Sequence, residues 1–250
     1  MILKNKDTSV TAVIFAGGVG TRMHSKDLPK QFLRIYGKPI IAWTIGVFEK
    51  TPCIDNVVVV CNANWLDYCQ SIISEFSLNK VRAVVAGGET GQLSIHNGLL
   101  AAAKLSDPKK TVVLIHDGVR PLIDAGTIER NVASVEEFGS SITCVKAKET
   151  ILVKADDGVE IVPRENVLLA RAPQGFWLSD ILAAHKMALD AGETGCIDSA
   201  TMMKAQGNDL HLIVGPDENI KITTQDDYYS MRYILDSREN NQLYAEGEDE

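Results

Sequence analysis

The sequence predicts an α/β fold in which a mostly parallel sheet is flanked by helices. Short apolar segments alternate with longer amphipathic segments, and this alternation is typical of βαβ units. An unbroken β-branched run at 57–60 indicates a strand buried on both faces, as strands of parallel sheets are. Ligands in such sheets bind beyond the carboxyl ends of the strands. Three conspicuous motifs follow predicted strands, so we expect them to meet at that edge.

The elements follow from the spacing of apolar residues. Apolar runs predict strands at 11–15, 56–61, 81–86, 111–116 and 141–146. Helical spacing predicts helices at 40–50, 65–76, 93–104 and 125–137. Beyond residue 171 we expect helices at 180–191 and 199–205, a strand at 210–214 and a last helix from about 225 to 236. The acidic end at 246–250 is expected to fray.

The stretch 150–171 interrupts the alternation. Two apolar runs, 150–153 and 159–162, flank Asp156-Asp157-Gly158, and an Asp-Gly step between such runs is a hairpin signal. Because an isolated hairpin cannot bury both faces, we interpret the segment at about 148–172 as an arm that packs on a second subunit of a homodimer. A plain edge hairpin is the alternative that the pattern equally allows.

Length and composition restrict the domain count and the partners. We expect a single domain over residues 1–250, although the length also allows two small domains. A formal net charge of −8 with no long basic stretch argues against nucleic-acid binding. Because no apolar run approaches a membrane span and residues 1–10 are polar, we expect neither a membrane partner nor a signal peptide. The five cysteines form no C-x-x-C pair, which favours reduced thiols in the cytoplasm.

A glycine-rich turn follows the first predicted strand and comprises Ala16, Gly17, Gly18, Val19 and Gly20. Glycines let a bulky charged group approach the backbone, and successive amides form an anion-binding concavity. Arg22 and Lys30 add two cations just beyond the turn, so we predict a polyphosphate site. The turn is not a Walker A loop, because Thr21-Arg22 follow Gly20, and it is not a dinucleotide fingerprint, because Met23 replaces the third glycine.

Another glycine turn, Gly87-Gly88, follows the third predicted strand. Ser94 lies six residues beyond Gly88, at or near a helix start. It either caps that helix or contacts a ligand hydroxyl.

A third motif, His116-Asp117-Gly118-Val119-Arg120-Pro121, follows the fourth predicted strand. Asp117 can accept ribose or polyol hydroxyls or help hold Mg²⁺ near phosphates, and its alternative role is to cap the next turn. Arg120 can bind a phosphate bidentately or form a solvated ion pair with Asp117. We expect His116 to be structural.

Three further cationic residues have no sequence feature that marks them as functional. Lys221 lies in a short strand-like run, Asn219-Ile220-Lys221-Ile222-Thr223, and would be read as a surface lysine. Arg164 and Arg171 follow the hairpin and would be read as surface charges.

Taken together, the motifs resemble those of the cytidylyltransferases that load sugar-alcohol phosphates onto CMP, which act on methylerythritol phosphate or ribitol phosphate. The resemblance runs from about 11 to 236 and rests on A-G-G-x-G-T-R-M, P-K-Q-F-L, G-K-P-I, G-G-x(5)-S, H-D-G-V-R-P, A-P-Q-G-F and N-I-K-I-T. It implies a Rossmann-like nucleotidyltransferase fold and a homodimer joined by the arm. It also implies use of CTP and Mg²⁺ or another divalent cation, with release of pyrophosphate.

The resemblance also implies roles for particular residues. The turn from Ala16 to Gly20 would wrap the CTP phosphates, which would also hold most of the Mg²⁺. The remaining nucleotide-binding residues would be Gly87, Gly88, Ser94, Asp117 and Gly118. The catalytic cations would be Arg22, Lys30 and Lys221. The polyol phosphate would meet Asp117, Arg120 and Lys221, together with Thr150 and Arg164 from the partner subunit's arm.

Several positions depart from the methylerythritol branch. The five-residue gap at 24–28 and Val119 resemble the ribitol branch. Ala172 stands where the family as a whole has a threonine, and Gly91 stands where the methylerythritol branch has an arginine. Ile197 and Ser199 stand where that branch has threonine and glutamate. Since losing a hydroxyl in a polyol pocket alters discrimination strongly, we favour ribitol 5-phosphate as the acceptor.

Three alternatives stay open at this point. One is a methylerythritol-phosphate cytidylyltransferase of isoprenoid synthesis. Another is a sugar-phosphate nucleotidyltransferase that uses UTP or a different triphosphate. The last is a nucleotide-binding module that has lost activity, against which Arg22 and Lys30 count.

Overall fold

The computed structural model describes residues 7–17, 28–155 and 158–244. Within these ranges the strands are β1 (Ser9–Ala16), β2 (Arg34–Ile35), β3 (Lys38–Pro39), β4 (Asn56–Cys61), β5 (Val81–Ala86), β6 (Thr111–Asp117), β7 (Ser140–Lys146), β8 (Ile151–Ala155), β9 (Gly158–Val162), β10 (Leu168–Trp177) and β11 (Leu212–Val214). The helices are α1 (Ile40–Lys50), α2 (Leu66–Glu75), α3 (Gly91–Ala102), α4 (Ala125–Phe138), α5 (Leu178–Asp190), α6 (Ser199–Ala205) and α7 (Gln225–Tyr244).

Every strand and helix predicted before residue 147 is confirmed, with ends that differ by at most two residues. Local signals explain this agreement, as helix α4 illustrates. The Asp124 carboxylate caps its start by accepting a hydrogen bond from Thr127 N (2.7 Å), and Gly139 ends it in the left-handed region at φ 83°. The last helix is longer than predicted, since it reaches Tyr244, and residues 246–250 lie outside the described ranges.

Seven strands form the main sheet in the order β11-β7-β10-β6-β1-β4-β5. Strands β6, β1, β4 and β5 pair in parallel, as the alternation of strands and helices predicts. Strand β11 is parallel to β7. The predicted fold class, a mostly parallel sheet with helices on its faces, is therefore confirmed.

Strand β10 is absent from the prediction and runs antiparallel to both of its neighbours, β6 and β7. Its sequence does not look like a central strand, because it contains Arg171, Pro173 and Gln174, and proline removes a ladder hydrogen bond. The structure accommodates the proline with a register shift between Ala170 and Gln174 and a cis Ala172–Pro173 peptide. A second correction concerns 219–223, which is not a strand here.

The run at 57–60 is buried on both faces, as predicted. All four valines have no exposed surface. Val57 and Val59 pack in a core with α1, α2 and α4, whereas Val58 and Val60 pack in a second core with α3, α5 and α6. Alternation of side chains along β4 thus joins the two layers of helices through one strand.

The strands that precede the three motifs end together at the carboxyl edge of the sheet. Gly118 N donates a hydrogen bond to Phe15 O (2.9 Å), which joins the ends of β6 and β1. Gly87 N donates to Cys61 O (2.8 Å), which joins the ends of β5 and β4. This edge therefore collects the segments that the sequence marks as functional.

The predicted hairpin is confirmed, and it is not an edge of the main sheet. Strands β8 and β9 form a separate two-stranded sheet. Leu152 and Ile161 are cross-strand partners and Val159 lies on the same face, and these three side chains are 63%, 66% and 65% exposed. Asp156 and Asp157 of the predicted turn lie outside the described residues. We call the segment 148–172 the arm.

The five cysteines are free thiols, and four of them are buried. Free thiols agree with the prediction that the cysteines form no disulfides. Across the described ranges, the helices lack the combination of length and apolar character that crossing a bilayer requires.

Helix α3 approaches the sheet closely at Gly98. A Cβ atom at this position would lie 2.5 Å from Val13 Cγ1 and 2.7 Å from Val60 Cγ2, both of which belong to buried side chains. The distance between helix and sheet therefore depends on the glycine.

We expect Gly98→Val to lower the free energy of unfolding by about 2–3 kcal/mol, because the extra atoms overpack the contact between α3 and the sheet. Urea unfolding followed by circular dichroism measures this change. Gly195→Val is the control, since no heavy atom of the described chain lies within 4 Å of its Cβ position. Equal losses in the two variants would contradict the role of Gly98.

Candidate active site

A cavity of about 380 Å³ opens at the carboxyl edge of the sheet. Residues from the ends of β1 and β6, the starts of α3 and α6, strand β10 and the 219–223 segment line it. The predicted residues Asp117, Arg120 and Lys221 are among them. Arg171 and Gln174 of β10 line the same space and were not predicted as site residues.

Asp117 is a buried carboxylate held between two cations. Lys221 Nζ lies 2.6 Å from its Oδ1, and Arg120 Nε lies 2.8 Å from its Oδ2. Burial opposes ionisation, but the charges of Lys221 and Arg120 outweigh it and hold the pKa of the Asp117 carboxyl below its ordinary value. The Arg120 pair is not the solvated ion pair considered above, because its side chains are only 11% and 8% exposed.

Backbone and ring contacts fix the two cations around this carboxylate. His116 Nε2 lies 3.1 Å from Arg120 O, and burial lowers the pKa of His116 to about 4, so the ring is neutral near pH 7. Ile222 N donates to Val119 O (2.9 Å), which brings the 219–223 segment beside the turn after β6. His116 is therefore structural, as expected. Lys221 reaches Asp117 because tertiary contacts place its segment there.

A second guanidinium lies beside Arg120. Arg120 Nη1 donates to Asn219 O (2.9 Å), and Arg171 Nη1 donates to the same oxygen (2.7 Å). Asn219 is fully buried, and its Nδ2 donates to Ala172 O (2.7 Å). The N-I-K-I-T motif pointed to this segment through Lys221, but no local signal distinguished Arg171 from a surface charge.

Ser94 holds the Gly87-Gly88 turn against α3. Its Oγ accepts a hydrogen bond from Gly88 N (3.1 Å) and donates to Thr90 O (2.9 Å). A Cβ on Gly87 would lie 2.8 Å from this Oγ, which explains the glycine. One alternative for Ser94, a helix cap, is wrong. Thr90 caps α3, because its Oγ1 accepts a hydrogen bond from Leu93 N (3.2 Å).

The predicted glycine-rich turn starts at the last residue of β1, Ala16. Ala16 is buried, and a Cβ on Gly118 would crowd it, since it would lie 3.0 Å from Ala16 Cβ. The buried Gln31 donates from Nε2 to Ala16 O (2.7 Å) and so ties the P-K-Q-F-L motif to the start of the turn. Gln31 was missed as a positioning residue, although the motif contains it.

Gln174 joins β10 to the start of α6. Its Nε2 donates to Asp198 Oδ2 (2.9 Å), and its Oε1 accepts from Ala200 N (3.0 Å). Asp198 also caps α6 by accepting from Thr201 N (2.8 Å). The buried Ser199 lines the cavity, and its Oγ has no hydrogen-bond partner within the described ranges.

Some predicted site residues do not line the cavity of the single chain. Thr150 and Arg164 are exposed at the base of the arm, where Arg164 Nη1 donates to Lys148 O (3.3 Å). Lys30 opens a short 3₁₀ helix, Lys30–Phe32, and is not among the residues lining the cavity. Four predicted residues lie outside the described ranges, namely Gly18, Val19, Gly20 and Arg22.

The resemblance implies a divalent cation that the CTP phosphates would mainly hold. No three His, Cys, Asp or Glu side chains among the described residues are grouped so that they could hold a metal ion.

Comparison with known proteins identifies relatives along nearly the whole chain. The family described as 2-C-methyl-D-erythritol 4-phosphate cytidylyltransferase (IspD) matches residues 10–237. The chain is 53% identical over 235 residues to the ribitol-5-phosphate cytidylyltransferase of Streptococcus agalactiae serotype III, covering 93% of this chain and 98% of the relative. It is 41% identical over 230 residues to the 2-C-methyl-D-erythritol 4-phosphate cytidylyltransferase of Geotalea uraniireducens, covering 91% and 97%.

Solved structures agree with this result. The crystal structure of 4-diphosphocytidyl-2C-methyl-D-erythritol synthase from Anaerococcus prevotii superposes with a TM-score of 0.79 at 27% sequence identity. The superposition covers 92% of this chain and 97% of that one.

Proposed function

Because this chain belongs to the 2-C-methyl-D-erythritol 4-phosphate cytidylyltransferase family, we propose that it transfers CMP from CTP to ribitol 5-phosphate. The products would be CDP-ribitol and pyrophosphate. The observation that carries the proposal is the 53% identity to a ribitol-5-phosphate cytidylyltransferase over 93% of the chain. The methylerythritol-phosphate relative is less similar, at 41%.

The cavity supports ribitol over methylerythritol as the acceptor polyol. Three of the positions that depart from the methylerythritol branch line it, namely Gly91, Ile197 and Ser199. Substitutions scattered over the surface would carry no information about substrate. Substitutions gathered around one cavity are expected where the bound molecule differs, because pockets built for hydroxyls discriminate strongly.

The reaction that we propose needs cations and positioning but no general base. A phosphate monoester is already ionised near pH 7, so its oxygen can attack the α-phosphorus of CTP directly. A new P–O bond forms there while the bond to the bridging oxygen of the β-phosphate breaks, and pyrophosphate leaves with the electron pair. Lys221 and Arg120 would hold the acceptor phosphate, because Asp117 orients both.

The nucleotide would lie across the glycine turns. We propose that the backbone amides at 16–20 meet the triphosphate and that Gly87, Gly88 and Ser94 hold cytosine and ribose. Ser94 supports this part of the site through the turn, since its hydroxyl is already engaged by Gly88 N and Thr90 O. Arg22 and Lys30 would neutralise charge that develops at the α-phosphate.

A divalent cation, Mg²⁺ by preference, would be held mainly by the phosphate oxygens of CTP. When bound, it would neutralise part of the charge on the triphosphate and on the departing pyrophosphate. Asp117 is a poor ligand for it, because Lys221 and Arg120 already contact its two oxygens. The acidic side chain instead serves to place the cations that face the acceptor.

The arm supports a homodimer. One of its faces presents Leu152, Val159 and Ile161, each more than 60% exposed in the single chain. A contiguous apolar face of this kind is typical of a protein interface. In the dimer, Thr150 and Arg164 would reach the partner's cavity from the arm.

We propose a cytoplasmic location, which the free cysteines support, since reduced thiols are typical of that compartment. The CDP-ribitol formed there would serve as the activated donor for a transferase that builds a ribitol-phosphate polymer at the cell wall.

An acceptor panel tests the proposed reaction. We expect pyrophosphate release with CTP and ribitol 5-phosphate, and much slower release with 2-C-methyl-D-erythritol 4-phosphate. Replacing CTP by UTP, ATP or GTP should reduce the rate, which separates this enzyme from a sugar-phosphate nucleotidyltransferase. A preference for methylerythritol phosphate would contradict the proposal and indicate a methylerythritol-phosphate cytidylyltransferase of isoprenoid synthesis. No release with any polyol phosphate would favour the inactive nucleotide-binding module.

Lys30→Ala tests the assignment of the catalytic cations. We expect kcat to fall by about 10²–10³-fold, because a preorganised positive charge near the α-phosphate is lost. The melting temperature should stay close to that of the wild type. Lys109→Ala, at an exposed lysine away from the cavity, is the matched control. Unchanged turnover in Lys30→Ala would contradict the assigned role.

Ile161→Glu tests the dimer, because it places a charge on the apolar face of the arm. We expect the wild type to be a dimer at micromolar concentration and this variant to be a monomer, as measured by light scattering. Val153→Glu is the control, since Val153 lies on the opposite face of the same hairpin. A monomeric wild type at this concentration would contradict the proposed dimer.

A further inference from the structure

Arg171 and Arg120 form a pair of guanidinium groups joined by one backbone oxygen. Their Nη1 atoms lie 2.7 Å and 2.9 Å from Asn219 O, so two positive charges lie side by side at the cavity wall. Like charges in such proximity repel, and the partly buried Arg171 has lost hydration as well. Burial and then the charge of Arg120 lower the pKa of Arg171. An arrangement of this kind favours a bound anion.

Buried backbone contacts fix the pair. Asn219 has no exposed surface, and its amide donates to Ala172 O, next to Arg171 on β10. Arg171 lies in the irregular part of β10, between Ala170 and Gln174, where the strand shifts register. The position of Arg171 is therefore set by the backbone and by Asn219, as a preorganised binding group requires.

The local charge is suited to a phosphate monoester. Around Asn219 stand the three cations Arg120, Arg171 and Lys221 and the single carboxylate of Asp117, a net of +2. Asp217 also acts on Arg171, but its carboxylate pairs with Lys148 at 2.7 Å. A phosphate monoester carries a charge of about −1.5 to −2 at pH 7. The cluster can therefore neutralise one such group.

We propose that Arg171 is a substrate-binding residue that, together with Arg120, holds the phosphate of the acceptor. The proposal rests on the proposed function for the identity of the acceptor. Arg171 makes one hydrogen bond to a described residue, so its other N–H groups can donate to phosphate oxygens. Arg120 contributes from the same wall while its Nε stays on Asp117.

Steady-state kinetics of Arg171→Gln test this assignment. We expect the KM for ribitol 5-phosphate to rise about 10- to 100-fold, because charge-assisted hydrogen bonds to the phosphate are lost. The KM for CTP should change less than about twofold, since Arg171 does not lie at the glycine turns. Arg171→Lys keeps the charge without the planar fork, so it should recover part of the loss. Arg82→Gln, at an exposed arginine of β5, is the matched control and should behave as the wild type.

A KM for the acceptor that is unchanged in Arg171→Gln would overturn the proposal. An equal rise in both KM values, with no recovery in Arg171→Lys, would also overturn it, because that result indicates a general structural role.

Inorganic phosphate separates failure of this inference from failure of the proposed function. We expect millimolar phosphate to raise the melting temperature of the wild type and of Arg82→Gln, and to raise that of Arg171→Gln much less. If phosphate stabilises the wild type and Arg82→Gln more than Arg171→Gln but no polyol phosphate is turned over, Arg171 binds phosphate and the proposed acceptor is wrong. If phosphate stabilises all variants equally, or none, Arg171 does not bind the phosphate group.

Discussion

A buried carboxylate held by two cations organises the carboxyl edge of this sheet. Asp117 ends a central strand, Arg120 follows it by one turn, and Lys221 arrives from a segment near the end of the fold. Removing such charges from water costs several kcal/mol per ion, and their attraction offsets that cost only when the geometry is good. The short contacts of 2.6 Å and 2.8 Å provide that geometry, and they hold the 219–223 segment beside the end of β6. The same cations face the cavity and can meet a substrate.

Strand β10 links the arm to this edge. Because it runs antiparallel and its Gln174 pairs with Ile115, its first residues extend past the end of β6. The arm is therefore attached at the edge where the motifs meet, and Arg171 comes to the cavity wall. One antiparallel strand thus accounts for both the placement of the arm and the second guanidinium. A parallel strand at this position would enter from the opposite edge and carry neither feature to the site.

The electrostatics of the molecule are local. The whole chain carries a formal charge of −8, which does not favour a polyanionic substrate at long range. Salt screens exposed charges beyond about 8–10 Å, whereas partly buried charges at short range keep their effect. The net positive cluster around Asn219 therefore supplies a positive potential inside the cavity that the overall charge does not cancel. The walls of the cavity also carry the polar groups of Gln174, Asp198 and Ser199, which suit a ligand rich in hydroxyls.

The alternation of strands and helices up to residue 147, the two buried faces of β4 and the position of three motifs after strand ends were determined by the sequence alone, because apolar periodicity and glycine placement act locally. Asp117 and Arg120 were found for the same reason. Strand β10 was not found, because its proline and polar residues resemble a loop until the neighbouring strands supply hydrogen bonds. Only the tertiary structure decided that Lys221 reaches Asp117 and that Arg171 lies beside Arg120. Lys221 and Asp117 are 104 positions apart, and Arg171 and Arg120 are 51 positions apart, so these pairings depend on the packing of the whole sheet.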